Sequence, residues 1–171
     1  MKDRFVIEPL GAHDRSAFSS GVATLDRYLR EQASQDVKRL VASCFVAIDT
    51  ATNRIAGYYT LAATSVLAED LPEDVRKRLP RYPALPAALV GRLAVDQSFG
   101  RSGIGSALLA DAALRVLRGD VKAFALVVGA KDENAVTFYR VQGIQPFASR
   151  PRSLFLPIAT ARKAAASHEW K

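Results

Sequence analysis

Cysteine is almost missing from this 171-residue sequence: Cys44 is the only one. No disulfide can form within the chain, so a hydrophobic core has to hold the fold. Its context, VASCFVAI, reads Cys44 as a small buried apolar residue and the chain as one of a reducing cytosol. Histidine is scarce as well. His13 and His168 lie near the two ends, away from the glycine turn 98–109 and the helix 133–143, so neither is offered as a catalytic base and no metal site is expected. Long apolar runs are absent: none approaches the ~20 residues needed to cross a bilayer. The first residues, MKDRFVIEPLGAHD, carry charge too early and too little apolar length for a signal peptide. No membrane association is expected.

What is present is a balanced globular composition, 49% hydrophobic, at a length that points to one domain spanning residues 1–171. The formal charge is +7. Such an excess bears on partners rather than on fold. It suits an anionic cofactor, or nucleic acid, whose phosphates attract Lys and Arg regardless of base sequence.

Periodicity predicts the elements. FVIEPL (5–10) alternates up to Pro9 and reads as a short strand. Phe18, Val22, Leu25, Tyr28 and Leu29 recur at three and four, which predicts helix over 13–39, with Thr24 as a candidate cap. CFVAID (44–49) and IAGYYTLAATSVL (55–67) form a hairpin, with Ala56, Tyr58 and Thr60 on one face and Gly57, Tyr59 and Leu61 on the other. The Pro-rich stretch 69–88 reads as a short helix near 72–79 followed by an extended arm. LVGRLAVD (89–96) is a buried strand, 103–118 a helix, and VKAFALVVGAK (121–131) a central strand covered on both faces. ENAVTFYRVQG (133–143) is a helix closed by Gly143, and RSLFLPI (152–158) the last strand. The tail, about 160–171, reads as frayed or held by a partner. An early antiparallel hairpin followed by crossover units makes a mixed α/β (α+β) chain with a central mixed sheet flanked by helices.

SFGRSGIGSALL (98–109) carries the chemistry. A helix starting near Gly103 leaves its first amide N–H groups without intrahelical acceptors, a ready site for phosphate. Glycine lets an anion approach the backbone, while Arg101 and Ser102 add a charge and a hydroxyl. The stretch reads equally as a plain tight turn. Gly100, Gly103 and Gly105 run G-x-x-G-x-G, the wrong order for a dinucleotide fingerprint. No Lys-Ser/Thr pair marks a triphosphate loop.

LVGRLAVDQSFGRSGIGSALLADAAL resembles the acetyl-CoA-binding core of the GNAT superfamily of N-acetyltransferases. That family's turn reads Q/R-x-x-G-x-G/A; Gly103 and Gly105 match its last two positions, whereas Gly100 stands where Gln or Arg is usual. AKDENAVTFYRVQGIQPF resembles the family's last helix. The resemblance implies the GNAT acyl-CoA N-acyltransferase fold and acetyl-CoA as co-substrate. It implies cofactor contacts from Leu93, Ala94, Val95, Arg101, Ser102, Gly103, Ile104, Gly105, Ser106, Asn134, Phe138 and Tyr139.

A narrower resemblance covers nearly the whole chain. HDRSAFSSGVATLDRYLREQASQD, IAGYYTLAATSV, LPRYPALPAALVGRLAVD, AKDENAVTFY and LFLPIATA follow the order of the toxin subgroup that acetylates aminoacyl-tRNA in bacterial toxin–antitoxin pairs. That subgroup has Phe-x-Cys-Gly-x3-Leu near its N-terminus; here Phe18, Gly21 and Leu25 match, with Ser20 in the cysteine position.

The mechanism so implied is attack of an amine on a thioester carbonyl. An α-amino group titrates near ~8, and esterification lowers it further, so no strong base is demanded. Tyr139 is the candidate general acid for the departing thiolate, and backbone N–H groups over Leu93–Val95 the candidate oxyanion hole. Glu8, Asp96 and Glu133 read as solvated or capping carboxylates. Arg76, Lys77, Arg78 and Arg81 would touch tRNA phosphates, extended by Arg30, Lys38, Arg39 and Arg92. A solvated helix face is the alternative for these cations. The resemblance further implies a ribbon-helix-helix antitoxin, operator DNA bound through the toxin–antitoxin complex, and a homodimer. Two other readings stay open: a GNAT enzyme acting on a small amine or a protein amino group, and a non-catalytic module that keeps the fold for interaction.

Overall fold

The computed structural model describes residues 4–167, which form two compact units. One unit comprises the chain up to Ala62 together with Gly91–Asp111; the other comprises Ala63–Val90 and the chain from Ala112 onward.

The first unit holds β1 (Phe5–Pro9), α1 (Ala23–Glu31), α2 (Ala33–Lys38), β2 (Ser43–Asp49), most of β3 (Arg54–Leu67), the end of β4 (Ala84–Val95) and the start of α4 (Ile104–Arg118). Its strands lie in the order β1-β2-β3-β4, with β1/β2 and β2/β3 antiparallel. The predicted hairpin is present. Its turn is closed by the buried Asp49, whose carboxylate accepts from Thr52 Oγ1 (2.7 Å) and whose carbonyl accepts from Asn53 N–H (2.7 Å). Phe18, Tyr28, Leu29, Val46, Ile48 and Tyr58 build the core on the α1 side of the sheet. Cys44 is buried among them, and burial pushes its thiol up to about 12.

The predicted helix over 13–39 is wrong in its first third. Helix begins only at Ala23, and the preceding loop is held by side chains that out-compete a helical ladder. Arg15 donates to Leu29 O (3.0 Å), to Gly11 O (3.1 Å) and to Ser34 Oγ (2.8 Å). Asp26 accepts from both Ser20 N–H (3.0 Å) and Ser20 Oγ (2.6 Å). Gly21 sits at φ +89°, outside helical space. Thr24 is no cap: it lies exposed inside α1, while Val22 occupies the cap position without a side-chain bond.

The second unit holds the end of β3, α3 (Glu73–Arg76), the start of β4, the end of α4, β5 (Ala125–Gly129), α5 (Glu133–Val141), β6 (Gln145–Pro146), β7 (Ser153–Pro157) and α6 (Ile158–Ala166). Here the order is β3-β4-β5-β7-β6; β4/β5 is parallel, and β7 is antiparallel to β5 and β6. The chain is thus a mixed α/β protein, seven strands flanked by helices. Phe147 stacks on Phe155 at 4.7 Å in a core with Val66, Leu71, Leu85 and Val127.

Three expectations change in this unit. The arm after the prolines is strand from Ala84, with Pro86 exposed and its carbonyl accepting Phe124 N–H at 2.7 Å. The central strand starts at Ala125 rather than 121; Val121 is 88% exposed and belongs to the approach loop. The tail is not frayed through 166: Ile158 and Ala161 bury one face of α6. His168 lies outside the described residues.

Candidate functional site

The glycine turn follows a buried carboxylate. Asp96, at the end of β4, is 2% exposed. Its Oδ1 accepts Ser98 N–H (2.8 Å), capping the short turn Gln97–Phe99, and its Oδ2 accepts Ser19 N–H (2.9 Å). Arg54 Nη2 approaches at 3.7 Å. Asp96 therefore caps, as the sequence allowed, but it is buried rather than solvated. Phe99 anchors the turn below: it is buried edge-on against Phe5 at 5.8 Å, with the Arg54 guanidinium 5.5 Å from its ring.

Above that anchor, Ser102 is already committed. Its N–H (3.2 Å) and its hydroxyl (2.6 Å) both donate to Phe99 O. The side chain braces the turn, so Gly103 opens the stretch of amides available to a ligand. Gly103 has φ +76°, and a Cβ there would meet no atom within 4 Å. The glycine is required by backbone conformation, with open space in front of it. Ala107 N–H bonds Gly103 O (3.0 Å), so the ladder of the 15-residue α4 begins there. The amides of Gly103, Ile104, Gly105 and Ser106 lie in the first turn, where α geometry supplies no internal acceptor. That cradle, with the dipole behind it, fits a diphosphate. Arg101 is exposed beside it. Gly100, by contrast, has φ −58°, which any residue adopts.

What seats α4 against the sheet is Gly57. A Cβ there would lie 2.9 Å from Ala94 O and 3.0 Å from both Ile104 and Leu108 side chains. On the same face of β3, Tyr59 donates to Asp111 Oδ2 on α4 (2.6 Å). Tyr58 points the other way and donates to Leu25 O (2.6 Å), as the alternation predicted. Leu93 and Val95 are half-buried and Ala94 buried near the end of β4.

In the second unit, Asp132 caps α5 by accepting Ala135 N–H (2.9 Å). Asn134 stands exposed in its first turn. Tyr139 is 7% exposed, its ring 5.5 Å from half-buried Phe138. Burial pushes the Tyr139 phenol up from its ordinary value, which keeps it protonated. Arg152 braces the approach to α5: it donates to Lys131 O (3.3 Å) and pairs with Glu133 (3.5 Å).

The candidate RNA-binding cations divide. In the second unit, Arg76, Lys77 and Arg81 line one concavity, whereas Arg78 is exposed outside its lining. In the first unit, Arg30 donates to Phe18 O (3.4 Å), and Lys38 and Arg39 are exposed at the end of α2. Arg92 lies 3.6 Å over the Tyr28 ring, whose hydroxyl donates to Asp36 (2.7 Å). His13 sits 3.6 Å from Glu8, and its Nδ1 accepts Gly11 N–H, a local surface arrangement. Among the described residues no group of His, Cys, Asp and Glu is placed to hold a metal ion, and no helix is long and apolar enough to cross a membrane.

Two contributors escaped sequence reasoning. Asp96 as a tether for the 18–20 loop needs a partner 77 positions away, which no local pattern reveals. Gly57 inside a strand was a visible signal, since a strand glycine marks close approach of another backbone or side chain.

Comparison with known proteins gives a consistent picture. The family model described as the acetyltransferase (GNAT) family matches residues 12–144. A probable toxin TacT of Sinorhizobium fredii is 30% identical over 168 residues, 92% of this chain and 93% of that protein. A tRNA-acetylating toxin of Mycobacterium tuberculosis is 35% identical over 153 residues, 88% of this chain and 90% of that one. Among solved structures, AtaT complexed with acetyl-methionyl-tRNAfMet superposes with TM-score 0.87 at 26% identity, over 94% of this chain and 99% of its own. AtaTR bound with acetyl-CoA superposes with TM-score 0.81 at 26% identity over 96% and 99%. The DNA-bound AtaT-AtaR complex does so with TM-score 0.75 at 25% identity over 94% and 99%.

Proposed function

We propose, from the premise that this chain belongs to the acetyltransferase (GNAT) family, that it transfers the acetyl group of acetyl-CoA to the α-amino group of an aminoacyl-tRNA. It thereby blocks translation as the toxin of a toxin–antitoxin pair. The observation that carries this reading is the near end-to-end likeness to a named tRNA-acetylating toxin, together with a glycine cradle of the required backbone conformation.

We take residues 1–171 as one catalytic domain. Acetyl-CoA supplies an activated thioester carbonyl and a thiol leaving group. The first-turn amides of α4, from Gly103 to Ser106, hold its diphosphate, with Arg101 adding charge. Backbone N–H groups over Leu93–Val95 hold the charge that develops on the carbonyl oxygen. Asn134 and Phe138 line the pantetheine arm. Tyr139 gives its proton to the departing sulfur, and the proton that the attacking nitrogen sheds as the amide forms passes through solvent and restores the phenol. The acceptor amine loses its proton readily because its ordinary pKa of ~8 is close to physiological pH, so none of Glu8, Glu133 or His13 is assigned a base role. Ser102 serves the turn rather than the ligand.

AtaT is described with its antitoxin AtaR and with DNA. By the same relationship this chain has a cognate antitoxin of ribbon-helix-helix type, binds operator DNA through that complex, forms a homodimer and works in the cytoplasm. The cations Arg76, Lys77, Arg78 and Arg81, and separately Arg30, Lys38, Arg39 and Arg92, are assigned to tRNA phosphates.

The test is incubation with labelled acetyl-CoA and total charged tRNA, with deacylated tRNA as control. Label entering charged tRNA alone supports the reading. Label entering polyamines or protein instead of tRNA would assign the enzyme to another amine. Failure to bind acetyl-CoA in a titration would leave only an interaction module.

A further inference from the structure

The short helix α3 and the proline-rich segment after it carry a feature that the phosphate-contact reading leaves unused. Tyr82 is 62% exposed, one of the large apolar side chains the fold does not bury. It lines a concavity of about 520 Å³ together with Arg76, Lys77, Arg81, Pro80 and Pro83. An aromatic ring left in water amid three cations is costly as packing and useful as a platform. Its backbone is stiff. Tyr82 N–H bonds Pro80 O at 2.9 Å in a three-residue turn, flanked by Pro80 and Pro83, each with φ set by its ring. The segment is tied down at its end, where Pro83 O accepts Ala68 N–H at 3.0 Å, and at its start, where Lys77 N–H bonds Glu73 O at 2.9 Å. Little ordering is therefore left to be lost when a ligand stacks on the ring.

We propose that Tyr82 is a stacking platform for an unpaired nucleotide base, with Arg76, Lys77 and Arg81 gripping the phosphates on either side of it. This deepens the reading of tRNA as acceptor, and rests on it, by assigning the concavity to a single-stranded stretch of the RNA rather than to duplex. A duplex has its bases stacked internally and offers phosphates only; an exposed phenol ring adds nothing to such a contact. A single strand offers both a phosphate track and free π-faces, and grooves that bind it combine cations with aromatics in this way. The three cations of this lining against one carboxylate, Glu73, match the charge of that ligand. Acidic peptide is the competing occupant, and it becomes an outcome of the test.

The experiment compares Tyr82→Ala, Tyr82→Phe and Tyr82→Trp in the full chain. Binding is measured by fluorescence anisotropy against a single-stranded oligoribonucleotide, a duplex of equal length, and polyglutamate. Base–aromatic stacking predicts that Tyr82→Ala weakens the single strand by about five- to 150-fold, while Phe and Trp retain binding. The slope of log affinity against log salt should stay unchanged in Tyr82→Ala, because no ion is released by the ring. It should fall by about 0.7 per cation removed in Arg76→Ala or Arg81→Ala. Equal loss for duplex and single strand, no loss in Tyr82→Ala, or loss confined to polyglutamate would each overturn the proposal. Acetyl transfer to charged tRNA is measured in parallel on the unsubstituted protein. Failure of that transfer refutes the enzymatic reading, whereas intact transfer with an indifferent Tyr82→Ala refutes only the platform.

Discussion

Replacing Asp96 by alanine removes the tether on which the glycine turn depends. The carboxylate accepts two backbone amides, at 2.8 and 2.9 Å, in a site 2% exposed. Hydrogen bonds to a charged group contribute about 1.5–3 kcal/mol each. The donors belong to Ser19 and Ser98, both exposed residues, so water can take over part of the loss and the lower figure applies. Two bonds give about 3 kcal/mol. Arg54, 41% exposed and 3.7 Å away, adds under about 1 kcal/mol because solvent screens it. Against a total of roughly 5–15 kcal/mol this is a large fraction. In urea, with m about 2 kcal/mol/M, the midpoint should fall by about 1.5 M with m unchanged. Asp96→Asn keeps one acceptor oxygen and should lose about half as much. Acetyl-CoA affinity, followed by calorimetry, should fall in both variants, since the amides of Gly103–Ser106 keep their chemistry but lose their fixed approach. A loss of under ~1 kcal/mol in Asp96→Ala would refute the tether, because no arrangement of two charge-assisted bonds is worth so little.

Other predictions are more local. Gly103→Ala should cost about 1–2 kcal/mol from left-handed backbone strain and raise the acetyl-CoA KM, whereas Gly100→Ala, at φ −58°, should be nearly neutral in both thermal melts and kinetics. Tyr139→Phe should lower kcat by roughly 10²-fold or more while acetyl-CoA binding is kept; wild-type turnover would remove the phenol from the mechanism. Burial raises the Tyr139 pKa, so the wild-type rate should not decline as pH climbs until well past neutrality. Cys44, raised to about 12, should resist alkylation by iodoacetamide at pH 8 until urea unfolds the chain. The unfolded thiol ionises first, so stability should decline from about pH 8.5 upward.

Much of the fold could be read from periodicity. The β2–β3 hairpin, its alternating faces, α4 and α5 all follow patterns of two or 3.6 residues set by the local chain. Gly143 after α5 sits at φ +88°, the conformation its C-cap role requires. Residues 13–22 misled because Phe18 and Val22 keep helical spacing while Arg15, Ser20 and Asp26 bind the backbone otherwise. The tail misled because an alanine-rich helix has little amphipathic signature, and only tertiary packing buries Ile158 and Ala161 on its one covered face. The short strand Gln145–Pro146 exists only because β7 supplies its partner.

The chemistry available to this chain was written into residue types at close spacing: glycines before a helix, a tyrosine six residues into the next, a run of arginines among prolines. Such signals survive because helix termini, turns and caps are decided within a few residues. Tertiary structure alone decided which groups remain open to a ligand. It buried Asp96 against the amide of Ser19, 77 positions away, drew α4 onto Gly57 and left Tyr82 in water. Those outcomes depend on partners far apart in sequence, whose approach is set by packing and by the need to satisfy every buried polar group.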